Sequence, residues 1–285
     1  MAKNSHIEWT HHTFNPWWGC KKVSPACDNC YAELWAKRMG HQIWGLDAPR
    51  RFFSDAHWRE PLTWNEEARL NGRRDRVFCA SMADVFERRK DLNHERMRLW
   101  ELIDNTPNLD WLLLTKRPQN VERIAPWGSR WPKNVWLGTS VENQTLAEKR
   151  LPFLLKNPAT IRFLSCEPLL GKLDLRHWFK RKGYYTIDWI IAGGESGGSS
   201  RPMHPDWPLN LLNQCRAFNV PFHFKQWGQW APANFFQRTN RAKVLEIKNE
   251  RPVAMVRMSK KLTGRKLKGT TWNQVPHTPL QNAQS

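Results

Sequence analysis

The sequence lacks the features of a membrane or secreted protein. Its 285 residues contain no apolar run near the roughly 18 residues that a membrane-spanning helix needs. The first residues, MAKNSHIEW, have no apolar stretch of the signal-peptide kind. Six cysteines are too few for a disulfide scaffold in a chain of this length. We therefore expect a cytoplasmic protein without membrane contact, whose thiols stay reduced and free to bind metal.

Acidic residues are scarce relative to basic ones. The chain has 45 Lys and Arg against 26 Asp and Glu, which gives a formal net charge of +19. Such an excess repels itself and is typical of proteins that bind a polyanion. A basic surface without a partner is the alternative. The balance favours nucleic acid, DNA or RNA, as the partner, and a minority of the 18 tryptophans could stack on its bases.

Short apolar runs alternate with helical patterns along most of the chain. Seven runs occupy residues 14–20, 76–84, 111–117, 135–143, 161–168, 189–197 and 221–228. Helical spacing occurs over 30–40, 93–105, 143–156 and 205–218, with Asn93 as the expected N-cap of the second pattern. Continuous apolar runs are typical of strands buried in a parallel sheet. We predict an α/β fold over residues 1–236, with a mostly parallel partial (β/α) barrel favoured over an open doubly wound sheet.

Residues 237–285 form a basic C-terminal extension. They contain 11 Lys and Arg but only 2 Glu, so they supply +9 of the net charge. The segment is rich in turn residues, and its Trp272 favours packing over a free arm. Its candidates for contacting a polyanion are Arg238, Arg241, Lys260, Lys261, Arg265, Lys266 and Lys268.

Polar residues follow six of the apolar runs at the point where each predicted strand ends. They are Ser81, Asp84, Lys116, Arg117, Ser140, Glu142, Glu167, Gly193, Gly194, Glu195 and Lys225. Because loops at the carboxyl ends of parallel strands build active sites, we expect these residues around one cleft. Asp84 or Glu142 could instead cap the following helix, and the glycine pair could be a simple turn.

Three cysteines lie close together after the first apolar run. In WGCKKVSPACDNCYAE, Cys20, Cys27 and Cys30 are separated by six and two residues. Three thiolates can bind three irons of a [4Fe–4S] cluster and leave the fourth iron open to an external ligand. Radical S-adenosylmethionine enzymes use this arrangement, with the cofactor on the fourth iron, although their usual spacings are three and two. Cys79, Cys166 and Cys215 have apolar neighbours and are expected to be buried.

Many segments, in order, resemble the phage-type three-cysteine-motif proteins, labelled phage Gp37/Gp68-like. They include HTFNPWWGC, SMADVFE, LLLTKRP, LGTSVENQ, FLSCEPLLG, IIAGGESG and FKQWG, and the resemblance covers about residues 6–277. This family is distantly similar to radical S-adenosylmethionine enzymes such as spore photoproduct lyase. The resemblance implies a [4Fe–4S] cluster, S-adenosylmethionine, an electron donor such as flavodoxin or ferredoxin, and modification or repair of nucleic acid.

The predicted residues fall into three roles under this interpretation. Cys20, Cys27 and Cys30 bind the cluster. Ser81, Asp84, Ser140, Glu142, Gly193, Gly194 and Glu195 bind the cofactor, with Glu195 or Asp84 on its amine. Lys116, Glu167 and Lys225 are the candidate catalytic residues.

Two other functions fit the same residues. A nucleic-acid-binding protein could use the cysteines for a structural zinc site, with His11, His12 or His41 as the fourth ligand. A hydrolase or transferase could use Asp84, Glu142, Glu167 and Glu195 without any metal.

Overall fold

Seven parallel strands form one sheet, and each pairs with the next strand along the chain. The structure is a computed structural model that describes residues 3–180, 182–235, 242–246 and 250–277. The strands are β1 (His12–Phe14), β2 (Asp75–Cys79), β3 (Leu109–Thr115), β4 (Val135–Ser140), β5 (Ile161–Cys166), β6 (Trp189–Gly193) and β7 (Phe222–Gln226). Because the order never reverses, right-handed connections place the helices on one face and the sheet curls around the other.

Helices connect the strands. They are α1 (Tyr31–Arg38), α2 (Asp55–Leu70), α3 (Asn93–Asp104), α4 (Val121–Ile124), α5 (Gln144–Leu154), α6 (Arg176–Phe179) and α7 (Asp206–Ala217). Within the described ranges, none of the helices combines the length and apolarity needed to cross a bilayer.

The two faces of the sheet bury different sets of side chains. Alternate strand residues, such as Val77 and Leu113, pack against the helices in the larger core. The residues between them, such as Phe78 and Leu112, form a second, aromatic cluster on the inner face. This alternation follows from the two-residue period of a strand. A sheet with helices on one face and a filled inner face confirms the predicted partial barrel.

The first strand lies earlier than predicted. The apolar run 14–20 is mostly loop, and β1 covers only His12–Phe14. Pro16 explains the difference, because proline has no N–H group to donate to a neighbouring strand. The other six strands overlap their predicted runs.

The helices show two further differences from the sequence patterns. α2 lies between α1 and β2, over residues for which no helix is predicted, and it buries Trp58 and Trp64 against the larger core. Asn93 is the first residue of α3 and not its N-cap, which is Leu92. The side-chain oxygen of Asn93 accepts a hydrogen bond from the Arg96 guanidinium at 2.7 Å, and this bond stabilises the first turn of α3.

The open side of the barrel, between β1 and β7, is covered by segments from both ends of the chain. Trp9 packs on Phe78 with 4.6 Å between ring centroids, and Val275 packs on the same inner cluster. Residues 272–274 run beside β7, where the amide of Phe224 donates to the Trp272 carbonyl at 3.0 Å. An otherwise free sheet edge is thereby protected from pairing with another chain.

Part of the C-terminal extension forms regular secondary structure. β8 (Trp230–Pro232), β9 (Ala242–Leu245) and β10 (Val253–Arg257) form an antiparallel sheet, so this sheet spans the predicted boundary at residue 237. Next come α8 (Lys260–Thr263), β11 (Lys266–Leu267) and β12 (Thr270–Thr271). The Trp227 indole N–H donates to the Lys266 carbonyl at 2.9 Å, which ties this segment to the end of β7. The division into two domains stays a prediction.

A substitution at Gly138 tests how tightly the inner face is packed. This glycine lies opposite Phe163 in the β4–β5 pair, and a Cβ atom at Gly138 would be 2.3 Å from the Phe163 ring. We expect Gly138→Ala to lower the free energy of unfolding by about 1–3 kcal/mol, because the buried ring has to move. Urea denaturation measures this change. Gly198→Ala is the control, since a Cβ there meets nothing within 4 Å, and equal losses in both variants would contradict the prediction.

Candidate functional site

A cavity of about 360 Å³ lies at the carboxyl ends of the strands. Eleven of the thirteen residues predicted to form the site line it. They are Cys20, Cys27, Cys30, Ser81, Asp84, Lys116, Ser140, Glu167, Gly194, Glu195 and Lys225. The strand ends and the cysteine loop thus meet at one place, as sequence order alone suggested. Glu142 and Gly193 lie outside the lining.

The cysteine loop, residues 15–30, covers one side of this cavity. The backbone of Cys20 pairs with that of Trp44 in an isolated parallel β-bridge. Cys27 ends a 3₁₀ turn, and Cys30 is the N-cap residue of α1. All three thiols are partly exposed, whereas Cys79, Cys166 and Cys215 are buried as predicted. Only the loop cysteines are therefore placed to react or to bind a ligand.

Burial controls the protonation of two loop cysteines. It raises the pKa of the Cys20 thiol to about 12, and the nearby Arg117 guanidinium opposes the rise. Burial also raises the pKa of Cys30, against the effect of the first backbone amides of α1 and of Lys116. Both residues are thus neutral thiols at pH 7 in the ligand-free protein. Binding of a metal would have to displace their protons.

Asp84 and Arg117 hold the start of the cysteine loop. Their side chains form a buried ion pair at 2.7 Å, and each is only 6% exposed. Asp84 also accepts hydrogen bonds from the Thr115 hydroxyl and the Lys116 amide, at 2.7 and 3.1 Å. Burial would raise the pKa of Asp84, but Arg117 and these donors keep it below its usual value. Arg117 then donates to the Lys21 carbonyl at 2.8 Å and contacts the Cys20 sulfur.

Glu142 and Arg150 hold the middle of the loop. The carboxylate and the guanidinium are 2.8 Å apart, with exposures of 1% and 4%. The other oxygen of Glu142 accepts a hydrogen bond from the Ala26 amide at 3.3 Å. Arg150 also donates to the Ser140 carbonyl at 2.8 Å, which fixes the pair to the end of β4.

Glu195 and Arg201 hold the end of the loop. The guanidinium contacts both carboxylate oxygens, at 3.0 and 2.6 Å. Arg201 also donates to the Pro25 carbonyl at 2.8 Å, and the Asn29 amide donates to Glu195 at 3.0 Å. Asn29 lies between two of the cysteines, so this contact positions them directly against the end of β6.

The three ion pairs together form what we call the loop clamps: Asp84–Arg117, Glu142–Arg150 and Glu195–Arg201. Three carboxylates predicted to contact a cofactor are thus engaged with arginines and with the cysteine loop. Sequence reasoning missed Arg150 and Arg201. Arg150 could have been found from the sequence, because it lies on the same helical face as the apolar residues Ala147, Leu151 and Leu154. An arginine on a buried face needs an acidic partner.

The ends of β5 and β7 bring Glu167 and Lys225 together in the cavity wall. Their side chains form an ion pair at 2.8 Å, and the Gln226 amide donates to Glu167 at 3.1 Å. The Lys116 ammonium, at the end of β3, lies within 4 Å of no carboxylate among the described residues. It therefore contributes a free positive charge to the cavity.

Besides the Trp9 indole nitrogen, two buried polar atoms of cavity-lining residues have no hydrogen-bond partner within the described part of the chain. They are the Ser140 hydroxyl and the side-chain oxygen of Gln226. Their residues are 1% and 4% exposed. Since buried polar groups are usually paired in native proteins, these two atoms are available to hydrogen-bond a polar ligand or water. Ser81 differs, because the Asn15 amide donates to its hydroxyl at 3.0 Å.

The glycine pair after β6 allows a close approach of two chain segments. A Cβ atom on Gly194 would lie 1.9 Å from the Trp227 carbonyl oxygen. One on Gly193 would lie 3.4 Å from the Gln226 carbonyl oxygen and 3.5 Å from the Glu167 side chain. The absence of a side chain at Gly194 is therefore required by the packing of β6 against the end of β7.

Two of the three histidines considered for a zinc site lie at the opposite end of the strands. The ring of His11 accepts from the Arg76 amide at 2.7 Å, and His12 contacts Asp75 at 3.4 Å, where β1 and β2 begin. Over the described ranges, no three His, Cys, Asp or Glu side chains are arranged to hold one metal ion. The loop thiols thus do not converge on a single point. Thiolates that bind different irons of one cluster have no need to do so.

Comparison with known proteins identifies a family. A family model described as "Protein of unknown function (DUF5131)" matches residues 4–276. The chain belongs to this family. No curated protein matches it. The phage-type three-cysteine-motif label stays a prediction.

Two solved structures of spore photoproduct lyase are similar to this chain. One is a cysteine-to-serine mutant and the other a tyrosine-to-phenylalanine mutant. Each aligns with a TM-score of 0.45 at 12% identity, over 89% of this chain and 70% of its own. At this level the fold class rests on the observed sheet, not on the similarity.

The Glu142–Arg150 clamp gives a test of the loop's support. Arg150→Met leaves a buried carboxylate without its partner, and we expect a loss of about 3–5 kcal/mol in the free energy of unfolding. The double variant Glu142→Gln, Arg150→Met removes both charges and should recover part of that loss. Urea denaturation of both variants measures this. If the double variant is no more stable than Arg150→Met alone, the buried pair is not the reason for the loss.

Proposed function

We propose that the chain is a radical S-adenosylmethionine enzyme that modifies or repairs nucleic acid. One observation carries the first part of this proposal. Cys20, Cys27 and Cys30 line the same cavity as the polar ends of β2 to β7. A redox centre at these thiols would therefore lie beside the groups that could hold a cofactor and a substrate.

The residues present fit a four-iron cluster with one open position. The donor set is three soft thiols on one loop, and soft thiolates are the usual ligands of iron–sulfur clusters. The unpartnered Ser140 hydroxyl and Gln226 oxygen are available to a polar cofactor in the same cavity. When bound, the cluster and S-adenosylmethionine supply the one-electron chemistry that breaks unactivated C–H bonds, and a flavodoxin or ferredoxin supplies the electron.

The chain's own residues then have distinct tasks. The loop clamps hold the cysteines in place before any metal arrives. Ser140 and Gln226 orient the cofactor by accepting or donating hydrogen bonds. Lys116 binds an anionic group of the cofactor or substrate. Lys225 and Glu167 in the cavity wall move a proton or position the substrate, and Gly194 allows the end of β6 to lie close to the end of β7.

Nucleic acid is the proposed substrate because the chain has a large excess of basic residues and one basic residue of the extension reaches the cavity. Lys260 of α8 lines the cavity itself, although it comes from the C-terminal extension. Four exposed basic residues follow one another in this region: Lys260, Lys261, Lys266 and Lys268. Arg265 is less available, since it contacts His223 and Asn273. Arg238 and Arg241 lie outside the described residues.

The cluster proposal predicts equal effects at three positions. Cys20→Ala, Cys27→Ala and Cys30→Ala should each lose most of the bound iron and the visible absorption of anaerobically reconstituted protein, because each removes one ligand. Cys215→Ala is the matched control, since this thiol is buried in the helix-facing core. Iron and sulfide analysis with absorption spectra measure the outcome. Stoichiometric zinc held by four protein ligands in an anaerobic preparation would contradict the proposal.

The substrate proposal predicts a change in salt dependence. For the parent protein, the logarithm of affinity for nucleic acid should fall linearly with the logarithm of salt, with a slope of about −0.7 to −0.9 per phosphate contact. Replacing Lys260, Lys261, Lys266 and Lys268 by Glu should flatten the slope, because fewer counterions are released. Fluorescence anisotropy with labelled DNA and RNA measures it.

A second variant controls for net charge. It carries the same number of Glu replacements at exposed basic residues elsewhere on the chain: Arg130, Lys133, Lys149 and Lys156. This variant should keep most of the parent slope. If both variants change the slope equally, only the total charge matters, and the extension is not a nucleic-acid surface.

A further inference from the structure

Only one of the three loop clamps reaches a cysteine sulfur. Arg150 and Arg201 support the loop without a contact to sulfur: Glu142, the partner of Arg150, accepts from the Ala26 amide, and Arg201 donates to the Pro25 carbonyl. Arg117 instead places both terminal nitrogens near the Cys20 sulfur, at 3.7 and 3.9 Å. These distances lie within the range for hydrogen bonds to sulfur. Cys20 therefore differs from Cys27 and Cys30 in its surroundings.

The position of the Arg117 guanidinium is fixed by groups other than the cysteine. One terminal nitrogen donates to Asp84 at 2.7 Å, and the other donates to the Lys21 carbonyl at 2.8 Å. Asp84 is fixed in turn by the Thr115 hydroxyl and two backbone amides, those of Lys116 and Phe86. The guanidinium thus stays aimed at the sulfur in the absence of any metal.

We propose that Arg117 is a positioning residue that donates hydrogen bonds to the Cys20 sulfur when it binds the cluster, and so raises the cluster's reduction potential. This inference rests on the proposed function. Hydrogen bonds to cluster sulfurs and nearby positive charge stabilise the more negative, reduced state. The Asp84 carboxylate lies 2.7 Å from the guanidinium and offsets much of its charge, so the hydrogen bonds to sulfur carry most of the effect.

The buried geometry also explains the choice of arginine. Its planar guanidinium has five N–H groups, so it can serve a carboxylate, a carbonyl and a sulfur at the same time. A lysine at the same position would keep the charge but could not keep all of these contacts. The conservative variant therefore separates the charge from the hydrogen bonds.

The test compares reduction potentials of the reconstituted cluster in variants of the clamps. Arg117→Gln should shift the potential to a more negative value than in the parent, and Arg117→Lys should give a smaller shift. Arg201→Gln is the matched control, because it weakens the support of the same loop without losing a contact to sulfur. It should shift the potential less than Arg117→Gln does, since it removes a charge but no hydrogen bond to sulfur. Redox titration followed by electron paramagnetic resonance measures the potential, and iron analysis measures cluster content.

Loss of folding in the single variant does not block the test. Asp84→Asn with Arg117→Gln removes both buried charges together. It should still give a more negative potential than the parent, because the hydrogen bonds to sulfur are lost, but by less than Arg117→Gln alone, because loss of the carboxylate acts in the opposite direction. The inference is overturned if Arg117→Gln keeps its iron and the parent potential, or if Arg201→Gln shifts the potential equally. A parent protein that takes up no iron under anaerobic reconstitution overturns the proposed function itself, which is a different result.

Discussion

The candidate site depends on ion pairs between arginines and the buried carboxylates at the strand ends. Each pair of the loop clamps joins one part of the cysteine loop to the sheet. Burying a charge is costly unless it is paired and hydrogen-bonded, and all three carboxylates meet that condition. Replacing such a pair by apolar residues often costs little stability, so the clamps are better explained by the defined position they impose on the loop.

A preformed loop has a consequence for the chemistry of the thiols. The clamps fix the backbone around Cys20, Cys27 and Cys30 before a ligand binds, so little conformational entropy remains to be lost on binding. The same burial keeps Cys20 and Cys30 protonated in the ligand-free protein. The loop is therefore ordered, but these two thiols stay protonated and unreactive until a metal ion displaces their protons.

The two ends of the chain complete the barrel and also reach the site. His6 and Lys260 both line the cavity, although they lie before β1 and after β7. Trp9 and Val275 fill the inner face, and Arg265 lies 4.0 Å from Glu8. Segments before β1 and after β7 cover the gap of the half-barrel and also line the cavity, so the packing of the extension and the shape of the cavity mouth depend on each other.

Local patterns in the sequence determined the order and type of most elements. Apolar runs ending in polar residues marked six of the seven strands, because strands buried on both faces need apolar residues at every position. The same runs placed Ser81, Lys116, Glu167 and Lys225 around one cavity, since the ends of parallel strands must meet at one edge. The spacing of the cysteines identified the loop.

The tertiary structure alone decided what the carboxylates do. Asp84, Glu142 and Glu195 had the same sequence signal as Glu167, yet they pair with arginines and support the loop. Their partners lie 33, 8 and 6 residues away, and nothing in the local pattern states which arginine each carboxylate meets. The sequence pattern also gave no indication that Trp9 and Val275 cover the gap in the barrel. The physical reason is that periodicity records which side chains are buried, whereas ion pairs and edge contacts depend on how distant segments approach in three dimensions.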